Sequence, residues 1–388
     1  KYGQVRFERG QGKYAFDDGK EAWYQKSVKL DRFYKPFAKD YIAPWKLIPE
    51  GETDVVTAHY EGKKSIDVSK LVFTSDAKSP ALPASYDETS RTWSIKLPSV
   101  ASGAAYDVFA VYEGEVLGKL HVVSYGKQQH KVTLVPINNA KLDKAQIERE
   151  LNTVYTPMGI DFDVEVDERM RGDYSWEVSS EQDKLLSLVG KSFWGYDKEL
   201  KESTEMLRLQ QAYQAKAGTL EGAYLFVLDG TKGLSSDTAF LQGEMPRKSR
   251  FGYIFSKDGE ELSKTIAHEL GHGLFTLQHT FDSEYAGKKS QKTSSNLMDY
   301  AKGTSLAAFQ WNIMANPAIF TATDKAEEGA FSDGIAISPD LKFIRIPGAE
   351  IISYFYDEAW RDSLVVGTLP SFELNESTYR WNGEGYAK

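Results

Sequence analysis

Residues 265–281 read Thr-Ile-Ala-His-Glu-Leu-Gly-His-Gly-Leu-Phe-Thr-Leu-Gln-His-Thr-Phe, and their spacing decides what kind of domain surrounds them. His268, Glu269 and His272 form the pattern His-Glu-x-x-His. On an α-helix, residues four apart sit about 400° round, so the two imidazoles share one face and can grip a single metal ion. Glu269 is about 100° from His268, close enough to hydrogen-bond a water on that metal and take its proton without being a ligand. Zinc suits such a site, because it lowers the pKa of a bound water to about 7. The rest of the helix must be buried, and Ile266, Leu270 and Leu274 lie about 200° from the histidines. The chain has only six histidines, yet three of them fall within this one short stretch, which composition alone rarely produces.

A catalytic zinc takes three protein ligands and a water. His279 is the expected third. A continuous helix would carry it about 10 Å along the axis from His272, beyond reach of the same ion, so the helix must break between them. Asp282 and Glu284, just past the helix, and the more distant Asp299 stay open as alternatives.

HELGHGLFTLQHTF resembles the metzincin motif HExxHxxGxxH, and its His-Thr-Phe ending is similar to the pappalysins. The spacing departs by one residue. Metzincins place a glycine three after the second histidine, where the helix turns back; here Phe275 stands at that place and the nearest glycine is Gly273. Downstream, Asn296-Leu297-Met298-Asp299-Tyr300 resembles the pappalysin Met-turn, and Phe309-Gln310 follows where that family often carries Phe-x-x-Gln. The resemblance implies an α+β, metzincin-like catalytic domain: a mixed twisted sheet with an active-site helix. It implies Met298 as the apolar floor beneath the metal and Tyr300 as a catalytic tyrosine holding the oxyanion. It also implies zinc endopeptidase activity on a protein or peptide substrate. In metzincins an edge strand above the active helix binds extended substrate, a role that suits 249–256, SRFGYIFS.

Outward from the motif, the preceding residues alternate strand and helix. HKVTLVPIN reads as a buried strand, and DKAQIERELNTVYTPMGI as an amphipathic helix with Ile147, Leu151, Val154, Tyr155 and Met158 on one side. DFDVEVDE is a second strand, 180–217 is helical, and AYLFVLDG is a third strand. The segment 240–256 reads as an edge strand, with Pro246 and Lys248 discouraging foreign pairing. Together these make a catalytic domain over 128–325. Before it, 50–127 alternates with a period of two: Trp93, Ile95 and Leu97 face one way, and Tyr106, Val108, Ala110 and Tyr112 share a face before a Glu113-Gly114 turn. That pattern predicts a small, accessory β-sandwich-like domain. Residues 1–49 read as a packed lead-in, with YGQVRFERG and KYAFDDG suggesting a hairpin, and 326–388 as a β-rich C-terminal segment.

Composition narrows the partners. The chain of 388 residues is 41% hydrophobic, 27% charged and carries a net charge of −9, which argues against a nucleic-acid or anionic-membrane partner. No apolar run reaches the ~18 residues a membrane span needs. Cysteine is absent, which leaves His and carboxylates as metal ligands. The start at Lys1 lacks an apolar signal stretch. It is expected to reflect a removed signal or a fragment, and placement outside the cell. Two further readings compete: an effector or self-processing module of a larger bacterial toxin-like protein, and a zincin-fold binding module without metal.

Overall fold

The computed structural model describes residues 2–21, 30, 33–75, 80–137, 139–172, 204–228, 233–234, 240–247, 249–255, 259–282, 285, 291–301 and 303–315, together with strands at 336–337, 343–345, 352–356, 359–362, 371–374, 377–381 and 386–387. The fold is α+β. The chain divides into two units: Lys1–His130 with Arg149–Phe162 and His279–Asn316, and Lys131–Glu148 with Asp163–Gln278 and Pro317–Lys388.

In the first unit, alternation produces strands. They are β1 (Gln4–Glu8), β2 (Phe16–Asp17), β3 (Pro36–Ala38), β4 (Tyr41–Ile42), β5 (Trp45–Leu47), β6 (Thr53–Glu61), β7 (Leu71–Thr74), β8 (Ala84–Asp87), β9 (Thr92–Pro98), β10 (Ala105–Tyr112) and β11 (Glu115–Val123). One sheet runs β1-β6-β9-β8, a second β2-β5-β11-β10-β7, and β3 pairs with β4. Val5, Phe7, Val56, Ala58, Trp93, Ile95 and Leu97 from the first sheet meet Phe73, Val108, Ala110, Leu120 and Val122 from the second in one core. Burying a side chain of this size contributes roughly 1.5–3 kcal/mol against the entropy of ordering it. Glu113 and Gly114 both have positive φ, 47° and 86°, as a two-residue hairpin turn between β10 and β11 requires.

The hairpin expected near the N-terminus does not form. β1 pairs antiparallel with β6, from Gln4↔Glu61 to Glu8↔Thr57, whereas β2 pairs with β5 in the other sheet. Val5 and Phe7 find their apolar neighbours far along the chain rather than next door. The lead-in thus supplies strands to both sheets.

In the second unit the elements are β12 (Gln128–Ile137), α1 (Lys144–Tyr155), β13 (Ile160–Val166), α2 (Thr204–Ala217), β14 (Ala223–Leu228), β15 (Gly233–Leu234), β16 (Phe240–Leu241), β17 (Gly243–Glu244), β18 (Phe251–Ile254) and α3 (Gly259–Gly273). Some of β12, α1 and β13 belongs to the first unit by contact. On α1, Ile147, Leu151 and Tyr155 are buried as its period predicts. The helical reading of 180–203 falls outside the described residues. The sheet order is β13-β12-β14-β18-β17, with β12, β14 and β18 mutually parallel and β17 antiparallel to β18.

That order corrects the edge-strand expectation. Phe251–Ile254 lies between β14 and β17, with all four residues buried, and the edge is the two-residue β17. A strand buried on both faces reads as a continuous apolar run, which is what FGYI is. Helix α3 packs on β17 and β18. Past Pro317 the described strands form a four-stranded and a three-stranded antiparallel sheet. Among the described residues no helix is long and apolar enough to cross a membrane.

Candidate metal centre

Helix α3 presents the histidines because its opposite face is apolar: Ile266 and Leu270 are fully buried. The Nε2 atoms of His268 and His272 stand 3.0 Å apart. With His279 they form a buried trio whose ligand nitrogens all lie within 4.8 Å of one another. Among the described residues this is the one group of three or more ligating side chains so placed. It could bind a metal ion.

The protonation of His272 follows from its neighbour. Its Nδ1 is 2.7 Å from the carbonyl oxygen of Leu277. A carbonyl only accepts, so Nδ1 carries the proton, and in the neutral ring Nε2 keeps its lone pair for a metal.

The break required after His272 is present. The Thr276 N–H donates to the His272 carbonyl at 3.0 Å, and the Leu277 N–H reaches back to Gly271 at 3.0 Å. Thr276 has φ +57°, in the left-handed region where a β-branched residue is strained by about 1–3 kcal/mol. The reversal thus falls one residue later than the metzincin glycine. His279 follows it by three residues, the same interval as glycine to histidine in that motif. The extra residue is absorbed in the helix exit, and Phe275 becomes core instead. Gly273 has its own reason: a Cβ there would sit 2.3 Å from Met245 Sδ.

His279 stacks on Phe281, with ring centroids 4.6 Å apart and planes at 11°, and Tyr300 meets it edge-on at 5.0 Å. Tyr300 is 40% exposed, so it stands at the surface beside the trio. Met298 is fully buried, and its carbonyl accepts the Thr280 N–H at 3.1 Å, tying the turn to the residue after His279.

Of the alternative ligands, Asp299 is engaged elsewhere. Its carboxylate accepts the N–H groups of Lys292, Thr293, Ser294 and Tyr300 at 2.6–3.0 Å and the Ser294 hydroxyl at 2.8 Å. It ties the loop together and is not grouped with the histidines. Asp282 also stands outside the trio, with its N–H donating to the His279 carbonyl. Glu284 lies outside the described residues. Replacing Asp299 by Ala is expected to speed backbone amide exchange at Lys292, Thr293 and Ser294, whose N–H groups lose their acceptor.

Sequence reading missed Gly243. A Cβ on it would lie 2.7 Å from Glu269 Cγ and 2.8 Å from its Oε1, so the backbone of β17 passes directly over the buried Glu269 carboxylate. A glycine inside a short strand is the available signal for such a close approach. His59 and His121 lie against carboxylates, Glu61 and Asp107. Burial holds the pKa of His130 below the usual histidine value.

No protein-family model matches the sequence, and no curated protein matches it. Similar solved structures include archaemetzincin from Methanopyrus kandleri, 14% identical, with a TM-score of 0.27 over 52% of this chain and 89% of that one. A chimeric titin Z1Z2 is also 14% identical, with a TM-score of 0.16 over 24% of this chain and 54% of that one. A sialyltransferase from Photobacterium damsela is 9% identical, with a TM-score of 0.16 over 47% of this chain and 35% of that one. Scores this low assign neither a fold nor a family.

Proposed function

We propose that the chain is a zinc-dependent endopeptidase with a metzincin-like catalytic module at about residues 128–325, and that His268, His272 and His279 hold the zinc. The observation that carries this reading is the buried trio, whose ligand nitrogens lie within 4.8 Å, with His272 oriented by the Leu277 carbonyl. Three imidazoles with an adjoining carboxylate are the donor set of a catalytic rather than a structural zinc. When bound there, zinc supplies Lewis acidity that eases ionisation of water and polarises a peptide carbonyl.

The remaining chemistry belongs to the chain. Glu269 takes the proton from the attacking water and hands it to the departing amine. Tyr300, at the surface beside His279, donates its hydroxyl hydrogen to the oxyanion that develops on the scissile carbonyl. The substrate is an extended polypeptide, and the β-sandwich is accessory to its cleavage.

Cleavage of labelled, unfolded casein by the full chain tests the reading. Activity that disappears in chelator and returns with zinc is the expected result. An intact fold with no zinc and no cleavage would instead favour a binding module. A second expectation concerns Gly243→Ala, whose methyl would displace the Glu269 carboxylate. Misplacing a catalytic group by about 1 Å can cost on the order of a hundredfold. Cleavage should fall by that order with zinc content unchanged.

A further inference from the structure

Two acidic residues of the N-terminal segment hold the loop that carries Met298. Asp17, at the end of β2, is buried; its Oδ2 accepts the Tyr34 hydroxyl at 2.6 Å and the Ala308 N–H at 2.8 Å, and its Oδ1 accepts the Gly19 N–H at 3.0 Å. Ala308 is the first residue of α4 (Ala308–Ala315). Glu21, four residues on, accepts both the N–H and the hydroxyl of Ser295 through Oε1, at 3.0 and 2.6 Å.

Between those two anchors runs a chain of polar contacts, buried at Asn296, Met298 and Gln310 and exposed at Ser295 and Ser305. The Gln310 side chain, on the first turn of α4, accepts from the Asn296 amide at 2.7 Å and donates back to it at 3.1 Å. The same Asn296 oxygen accepts the Met298 N–H at 2.9 Å. Ser305 donates to the Ser295 carbonyl, and its own carbonyl accepts the Leu297 N–H. The Met298 carbonyl then accepts the N–H of Thr280, which adjoins His279. Side-chain links (Gln310–Asn296, Asn296–Met298, Ser305–Ser295) alternate with backbone links (Leu297–Ser305, Thr280–Met298), so moving either anchor shifts the backbone of the loop. Burial pushes the Asp17 carboxyl pKa up, while Tyr34, Ala308 and Gly19 pull it back.

We propose that Asp17 and Glu21 are positioning residues for the metal centre, a clamp by which the N-terminal segment fixes the 295–308 loop and, through Met298 and Thr280, the third histidine. Its bearing on zinc rests on the proposed function. The clamp makes the lead-in part of the peptidase rather than an appendage to it.

The test uses the full chain, with zinc affinity read by competition with a chromophoric chelator and backbone amide exchange read over 293–308. Glu21→Ala and Asp17→Ala are each expected to weaken zinc about tenfold and to speed exchange in that loop while the rest of the chain keeps its protection. Glu21→Gln, which retains an oxygen acceptor for Ser295, should stay within about threefold of the parent. If Asp17→Ala does not fold, the Glu21 pair decides. Parental zinc affinity in Glu21→Ala, or weakened zinc with unaltered loop exchange, would overturn the clamp. If the unmodified chain binds no zinc, the proposed function fails. Loop exchange then judges the clamp alone: faster in Glu21→Ala supports it, unchanged overturns it.

Discussion

Replacing Glu269 by Gln is expected to cut peptide cleavage about a thousandfold or more, within the 10²–10⁴ range for a general acid–base group, while zinc stays bound. A thousandfold corresponds to roughly 4 kcal/mol of transition-state stabilisation. The amide matches the carboxylate in shape, so the packing beneath Gly243 survives; what is lost is the capacity to take a proton. The loss should fall on kcat, with KM nearly unchanged, because substrate still binds beside an intact metal centre. Cleavage at the parental rate would assign the base elsewhere. Loss of zinc in the variant would make Glu269 a ligand and contradict its role.

The largest expected loss of stability lies in the sandwich. Lys46 on β5 and Asp54 on β6 form an ion pair of 2.5 Å joining the two sheets, with the Lys46 side chain wholly buried and Asp54 only 6% exposed. Lys46 Nζ also donates to the Tyr14 carbonyl at 2.7 Å, and Asp54 accepts the N–H groups of Lys13 and Tyr14 at 2.9 and 2.8 Å. Asp54→Ala would strand a buried ammonium and two backbone donors, and removing one partner of such a pair costs about 3–5 kcal/mol. Lys46→Met should cost less, since Asp54 keeps its backbone donors. Urea unfolding measures both, and equal costs would contradict this account.

The same pair sets an acid limit. Burial pushes the Asp54 carboxyl pKa up, but Lys46 and the two N–H groups outweigh it and hold it below the ordinary value. Its stabilisation is therefore complete above about pH 4, the unfolded value, and is lost as pH falls toward the lower folded value.

Sequence made legible what is local. The paired histidines, their apolar opposite face, and the alternation of Trp93, Ile95 and Leu97 all depend on neighbours a few residues away, and each appears in the structure as its period dictates. What sequence hid is non-local or conformationally unusual. β1, β2 and β5 have two to five residues each, too few for a period, and take partners far along the chain. Lys46 looks like a surface residue until its buried carboxylate partner is found. The turn that brings His279 to the trio depends on a threonine in a conformation threonine rarely adopts, so no propensity could have announced it. Within 240–256 the edge strand itself is hidden, because two residues at Gly243–Glu244 carry no pattern while the apolar run beside them does.

Titration of zinc into the full chain against a chromophoric chelator, for the parent and for His279→Ala, tests the central claim most directly. The account predicts one zinc per parent chain and binding at least about a hundredfold weaker in the variant, beyond the range for outer groups. A parent that takes up no zinc, or a variant that binds it as tightly as the parent, would contradict it.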